Sequence, residues 1–491
     1  MFVVEVDREN YEYDVHSLVK AFYPEEQVSV LIPEMREEKK GQLRELSRMR
    51  IRLSEEGAEI LLDGKEYRWE WQDAEQGGEG REKARKDGFK RFLYRTLKEV
   101  TGRVLPWGNL TGIRPTKIAF QMLEEGKGNQ EILERYRVRH DVTREKAELA
   151  VEIAGRERAL LASVGPGGGQ EEGYSLYVGI PFCPTTCLYC SFTSYPVSVY
   201  RKDMDSYIDC LIREIAYAAE RYRDRRLDSV YIGGGTPTTL EAGQLERLLA
   251  SVRERFDCST VKEFTVEAGR ADSITKEKLQ ALYRQGVGRI SVNPQTMNQN
   301  TLDIIGRKAS AEQVEAAFYL AREVGFDNIN MDLILGLPGE GEREVQHTLD
   351  RVVEMAPDSL TVHSLAVKRA SRLNQWVQEN GVSMLQNTDG TMRIAAEGAR
   401  RLGMVPYYLY RQKNMSGNFE NVGYARDGKL GLYNVLIMEE KQTIVACGAG
   451  SISKRVYPDG LIKRSENVKD VSQYIERIGE MIERKRVLLE D

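Results

Sequence analysis

Histidine is scarce in this chain: four in 491 residues, at 16, 140, 347 and 363, too few for a histidine-rich metal site. Cysteine is scarce as well, six in all, so a disulfide scaffold does not organise the fold, and reducing cytoplasm would not maintain one. No stretch approaches the roughly eighteen uninterrupted apolar residues of a membrane helix. The N-terminus, MFVVEVDRENYEYDVHS, lacks the basic start and apolar run of a secretory leader, and a cytoplasmic protein is expected. A net charge of -5 lends no support to bulk nucleic-acid binding, and basic runs such as 221–226 read as solvated helix faces.

What is present is length, enough for roughly three domains, and a composition shift. The Gly-rich run 165–173 reads as a linker between an N-terminal α+β domain (1–164) and a core (174–385), which a C-terminal extension (386–491) follows. In the first segment FVVEV, VSVLI, AEILL and YRWEW read as strands, with a helix near 15–22. The insert LPWGNLTGIRP (105–115) has the Gly and Pro density of an ordered loop; structural and partner-binding roles are equally open to it. The tail, 470–491, reads as a charged helix whose apolar stripe packs on the body.

After the linker a rhythm sets in. Short β-rich runs at 175–180, 229–232, 263–266, 289–292, 328–334 and 360–363 alternate with amphipathic helical stretches, which implies parallel βαβ units. Six units are too few to close an eight-stranded barrel, so a partly open (β/α)6 barrel is expected. Each run is followed directly by polar or Gly-rich residues: the cysteine cluster, Gly233-Gly-Gly-Thr-Pro237, Glu267-Ala-Gly-Arg270, Asn293-Pro-Gln295, Asp332 with Gly336-Leu-Pro338, and His363-Ser-Leu-Ala366. Six decorated strand ends in succession point to a site across the barrel mouth.

Three of the six cysteines, Cys183, Cys187 and Cys190, lie within eight residues in YVGIPFCPTTCLYC. A structural zinc site wants four ligands, and no histidine or aspartate stands nearby, so zinc would need a distant fourth. Three thiolates on a 4Fe–4S cube leave one iron without a protein ligand. An open iron of that kind can chelate an amine and a carboxylate, as a methionine derivative offers.

The spacing C-x3-C-x2-C, with Tyr189 before the last cysteine and GGGTP after the second strand, resembles the radical S-adenosylmethionine (SAM) superfamily. YVGIPFC, VYIGGGTPT, FTVEAGR, SVNPQTMN, IIGRKAS, NMDLILGLPGE and ACGAGSIS, in that order, resemble the blocks of the oxygen-independent coproporphyrinogen III oxidase family, in particular its HemZ-type branch. The resemblance covers roughly 174–460. It implies that Cys183, Cys187 and Cys190 bind the cluster, and that Tyr177, Gly234, Glu267, Ala366 and Ile452 line a first SAM. By position, Tyr189, Gly235, Thr236, Gln295, Arg307 and Asp332 match contacts to a second SAM, or to substrate in its place.

The reaction the family implies is radical removal of a hydrogen from a porphyrinogen propionate, with loss of carbon dioxide and an electron to leave a vinyl group. Two propionates of coproporphyrinogen III react, giving protoporphyrinogen IX, and the chemistry requires an electron donor and an acceptor. Lys368 and Arg369, just past the sixth strand, and Arg411 and Lys413 in the aromatic block 407–426 are candidates for the tetrapyrrole carboxylates. The chain departs from the family at two places. Gly179 stands where histidine is usual, and Phe192 stands where the dehydrogenase proper has a fourth cysteine. CLYCSFTSY is closer to the related haem-chaperone branch. A haem-binding chaperone, and a radical methylase or haem-opening enzyme, therefore stand beside the oxidase as readings.

Overall fold

The computed structural model describes residues 1–35, 43, 46–71, 80–165, 173–190, 194–368, 371–412 and 415–490. Residues 166–172 of the expected linker (165–173), Phe192, Arg369 and Lys413 lie outside the described residues. The chain divides into two compact units: Met1–Ala154 with Val377–Ser383 and Leu409–Glu420, and Gly155–Trp376 with Met384–Tyr408 and Asn421–Asp491.

The first unit is built on a five-stranded sheet. Strands β1 (Phe2–Val6), β2 (Val28–Leu31), β3 (Ser47–Leu53), β4 (Gly57–Leu62) and β5 (Lys65–Glu70) lie in the order β2-β1-β3-β4-β5. β1 is parallel to both neighbours, and β3, β4 and β5 form an antiparallel meander. The β4–β5 hairpin turns at Asp63-Gly64, both at positive φ (47° and 84°), as a two-residue hairpin favours. β3 carries a period of two that the expected strands above omit: Met49, Ile51 and Leu53 are buried while Arg50 and Arg52 face out. Its inward face joins Phe2, Phe22, Phe89, Phe92 and Tyr94 in one core.

The LPWGNLTGIRP insert is structural in its described contacts. Trp107, fully buried, donates its indole N–H to Glu420 Oε2 (2.7 Å), and Lys146 Nζ reaches the other oxygen of the same carboxylate (2.7 Å). Arg411 belongs to this unit too. It is buried, its Nη1 donates to the Leu110 carbonyl (2.6 Å), and its Nη2 donates to the Asn418 carbonyl (3.1 Å). Burial pushes its guanidinium pKa down to about 10. Its two terminal nitrogens are thus engaged within the protein, while its buried Nε has no hydrogen-bond partner.

The second unit holds the six expected strands, now β6 (Tyr174–Ile180), β7 (Leu227–Gly234), β8 (Glu263–Gly269), β9 (Arg289–Val292), β10 (Ile329–Leu335) and β11 (Ser359–Ser364). Each is parallel to the next. Helices between them begin at side-chain caps where the sequence supplies one; Ser310 and Gln313 form a capping box ahead of Ala311–Val324, which Gly325 closes at φ 118°. The C-terminal extension lengthens this same sheet at both edges. β13 (Asn421–Ala425) pairs antiparallel with β11 and β12 (Val405–Tyr410) lies outside it, while β14 (Thr443–Cys447) lies parallel to β6 and continues into β15 (Ile452–Val456) and β16 (Ile462–Glu466). The result is an α/β fold on an eleven-stranded sheet.

The tail helix Ile478–Glu490 packs on the body, as its apolar stripe indicates. It is fixed by a buried ion pair, Lys485 Nζ to Glu214 Oε1 at 3.2 Å, with side chains 1% and 0% exposed. Glu214 Oε2 also accepts from the Tyr474 hydroxyl (2.6 Å) and the Gly448 N–H (2.8 Å), and Oε1 accepts from Asn467 Nδ2 (2.7 Å). Every polar atom of the pair thus has several partners, the condition under which a buried charge pair is tolerated.

Candidate active site

The site is assembled at the C-terminal ends of β6 to β11, where parallel strands leave their last carbonyls and side chains open. Past β6 the chain turns through Cys183, and the segment from Gly235 closes against it. Gly235 N donates to Ile180 O and Thr236 N to Phe182 O, both at 2.7 Å. Only glycine permits this approach, because a Cβ on residue 235 would lie 2.5 Å from Phe182 O and 3.0 Å from Cys183 Sγ. Thr236 Oγ1 stands 3.5 Å from Cys183 Sγ.

Cys183 and Cys187 are buried and Cys190 is half-buried, all three as free thiols. The loop that carries them is clamped from outside: Leu188 N donates to Ile305 O (2.9 Å), Leu373 N to Leu188 O (3.0 Å), and Arg372 to Thr186 O. Burial pushes the Cys183 thiol up to about 11, with the neighbouring Cys190 and Cys187 adding to it, so its thiolate needs a cationic partner. Among the described residues no three His, Cys, Asp or Glu side chains are grouped as the ligands of a single metal ion. Three free thiols on one loop are a donor set suited to a 4Fe–4S cluster with one iron left open.

Around this loop the polar side chains are linked. Arg307 Nη1 donates to Asn293 O (2.6 Å) and Nη2 to the Tyr189 hydroxyl (3.2 Å). Burial works against its charge, but Tyr189 and Cys187 beside it hold its pKa above the ordinary value. Asp332 accepts from Asn293 Nδ2 (2.8 Å) and Asn330 Nδ2 (2.7 Å), and His363 Nε2 lies 3.9 Å away. Burial alone would raise this carboxyl; the His363 hydrogen bond and charge, with Asn330, hold it below its usual value and ionised. Gln295 takes φ 67°, a left-handed conformation that strains a non-glycine residue by about 1–2 kcal/mol. Its N–H donates to Asp332 O and its carbonyl accepts from Ile334 N, both at 2.9 Å, while its buried side-chain Oε1 has no hydrogen-bond partner. Arg307 Nε is also buried without a partner. Orphaned donors and acceptors at one strand-end cluster are what a polar ligand would satisfy.

On the side nearer β6, three tyrosines stack. Tyr231 and Tyr433 have ring centroids 4.4 Å apart, and Tyr177 lies 6.3 and 6.2 Å from them with near-parallel planes. The Tyr231 hydroxyl donates to Glu267 Oε1 at 2.5 Å. Burial pushes Glu267 up to about 7, against the lowering effect of that hydrogen bond.

The structure therefore brings together most of the expected residues: the three cysteines with Tyr189, Gly235, Thr236, Gln295, Arg307 and Asp332, and Tyr177 with Glu267. Ala366 and Lys368 follow β11 and are half-buried. Burial lowers the Lys368 pKa, while the charge of Cys190 raises it. Ile452 stands apart from this network as the exposed first residue of β15, 43% accessible. Residues not assigned from sequence also enter the site. Arg270, Asn293 and His363 are visible there only as members of strand-end clusters, and Tyr231 points inward because of its place in β7. Tyr433, from the C-terminal extension, carries no sequence signal.

A strand-end site of clustered cysteines and a glycine-lined second turn defines a radical SAM protein, and the family model described as "Radical SAM superfamily" matches residues 177–352. The chain is 39% identical over 416 residues to the "Oxygen-independent coproporphyrinogen-III oxidase-like protein HemZ" of Bacillus subtilis, covering 82% of each. It is 30% identical over 324 residues to "Heme chaperone HemW" of Lactococcus lactis, covering 65% of this chain and 79% of that protein. The solved coproporphyrinogen III oxidase HemN of Escherichia coli aligns with a TM-score of 0.51 at 26% identity, over 66% of this chain and 73% of HemN. The chain belongs to the HemZ-type branch of the oxygen-independent coproporphyrinogen III oxidase family. Among the described residues no helix is long and apolar enough to cross a membrane.

Proposed function

We propose that this chain oxidatively decarboxylates coproporphyrinogen III propionates to vinyl groups, using a 4Fe–4S cluster held by Cys183, Cys187 and Cys190. The observation that carries the reading is the continuity of the site. Cys187, Arg307, Tyr189, Asn293 and Asp332 form one linked cluster, so the cysteine loop and the orphaned polar atoms beyond it act as a unit. A bound cluster with SAM supplies one-electron reduction of the sulfonium and a 5′-deoxyadenosyl radical.

The chain's own residues supply position and shielding. Arg307 offers a fork for a carboxylate, and ionised Asp332 accepts from an ammonium or hydroxyl group. Gln295 Oε1, already desolvated, gains a donor when a ligand enters. Glu267, fixed by Tyr231, faces the glycine turn, where a Cβ on residue 233 would lie 3.1 Å from its carboxyl carbon. That contact suits the hydroxyls of a ribose. Lys368, beyond β11, provides a cation for a propionate. The propionate β-carbon loses a hydrogen atom, then carbon dioxide and one electron depart, and an external acceptor takes that electron. Thiols kept reduced in cytoplasm agree with this chemistry.

A second reading, a haem-binding chaperone, is favoured by Phe192 in place of the fourth cysteine and by the HemW relatives. Anaerobic incubation of the reconstituted chain with coproporphyrinogen III, SAM and dithionite separates the two. Protoporphyrinogen formed together with 5′-deoxyadenosine is the expected result. Neither product, with stable haem binding, overturns the oxidase in favour of the chaperone.

A further inference from the structure

Arg270 is the first residue past β8 and is 4% exposed. Its guanidinium is fixed on one side by Asp272, through Nε to Oδ1 at 3.0 Å and Nη2 to Oδ2 at 2.7 Å. On the other side Nη1 donates to the Thr185 carbonyl (2.9 Å) and hydroxyl (3.0 Å), within the cysteine loop itself. The same Nη1 donates to Cys187 Sγ at 3.6 Å. A full positive charge is thus aimed at one sulfur and prevented from turning away.

We propose that Arg270 is a positioning residue that tunes the cluster: its fixed charge and hydrogen bond on Cys187 make the cluster easier to reduce. The inference rests on the assignment of Cys187 as a ligand. One electron from a low-potential reductant enters the cluster, no bond breaks, and the net negative charge on the cluster and its thiolates rises by one. A donor and a cation buried at the ligand sulfur favour that more negative state. Hydrogen bonds to ligand sulfurs are among the recognised levers on cluster potential, and outer partners of metal ligands tune as well as orient. Lysine would be a poor substitute, because only the planar fork can hold Asp272 bidentately while a third nitrogen reaches both Thr185 and the sulfur. Arg307, the other cation beside Cys187, also acts on that sulfur, but its Nη1 serves Asn293 O and its Nη2 the Tyr189 hydroxyl, whereas Arg270 is held on the cysteine loop itself through Thr185.

The alternative is that Arg270 only anchors the loop through Thr185. Redox titration followed by electron paramagnetic resonance, without SAM or tetrapyrrole, distinguishes the two. Wild type, Arg270→Gln, Arg270→Lys and Thr185→Val are reconstituted, and iron per chain is measured first. Arg270→Gln is expected to keep four irons and to shift the reduction equilibrium at least tenfold toward the oxidised form. That corresponds to a potential about 59 mV more negative for a one-electron couple. Arg270→Lys recovers part of the shift, and Thr185→Val stays near wild type. An Arg270→Gln potential within threefold of wild type overturns the proposal. So does failure of both Arg270 variants to assemble a cluster while keeping the wild-type circular dichroism, because the residue is then an assembly anchor. A wild-type chain that binds no four-iron cluster overturns the ligand assignment and this proposal with it. A chain that shows the shift yet leaves coproporphyrinogen untouched sinks the proposed reaction alone.

Discussion

Glu267 gives the cofactor-free chain a specific dependence on pH. Its carboxyl is pushed from 4.5 to about 7, first by burial, with the nearby Asp332 charge adding and the Tyr231 hydrogen bond opposing. A raised carboxyl pKa means the folded chain binds the proton more tightly than the unfolded chain. The stabilisation is complete below about pH 4.5 and is lost as pH rises through about 7. The difference of roughly 2.5 pH units, at about 1.4 kcal/mol each, sets an upper figure of about 3–4 kcal/mol. Urea unfolding of the apoprotein from pH 5 to 8, read by circular dichroism, measures the slope. Glu267→Gln, which keeps the shape and an acceptor for Tyr231 without the charge, is expected to flatten the curve and to be the more stable protein at pH 8. Parallel curves for the two proteins across that window would refute the reasoning, because Glu267 would then titrate as it does in the unfolded chain.

Other perturbations follow from the same contacts. Lys485→Met removes one partner of a buried ion pair and is expected to destabilise the tail helix by about 3–5 kcal/mol, read as faster amide exchange over 478–490. The double variant with Glu214→Gln should recover part of that loss. Glu420→Gln leaves Lys146 buried without its counter-ion and should lower the urea midpoint of the N-terminal unit; unchanged unfolding would deny the pair a structural role. Gln295→Gly relieves the positive φ, so the apoprotein should gain up to about 1 kcal/mol in urea unfolding while SAM affinity, measured by equilibrium dialysis, falls. Cys187→Ala is expected to abolish the four-iron cluster on anaerobic reconstitution, with iron per chain as the readout.

The six parallel strands were legible because each is a short β-branched run bounded by turn residues, and parallel strands buried on both faces read as continuous apolar segments. β3 was hidden for a converse reason: its outward positions are arginines, and SRMRIRL looks like a charged segment unless the alternation is weighed over its composition. The joining of the C-terminal strands to both edges of the sheet depends on contacts far apart in sequence, such as Val445 beside Leu176, which no local pattern encodes. The site divides similarly. The cysteines, the glycine turn, Arg307 and Asp332 were readable from spacing and family resemblance. Arg270, Tyr433, Asn293 and His363 were not assigned, because their roles exist only once neighbouring strands bring them together. Arg411, expected at a carboxylate site because it lies among aromatics, gives its terminal nitrogens to backbone carbonyls, a contact that no local pattern encodes.

The central claim is that a radical generated at this strand-end site removes a hydrogen from the propionate β-carbon of coproporphyrinogen III. Substrate deuterated at those carbons, incubated anaerobically with the reconstituted chain, SAM and a one-electron reductant, tests it most directly. The account requires deuterium in 5′-deoxyadenosine and a matching release of carbon dioxide. Deoxyadenosine formed without deuterium, or label retained entirely in unreacted porphyrinogen, would contradict it.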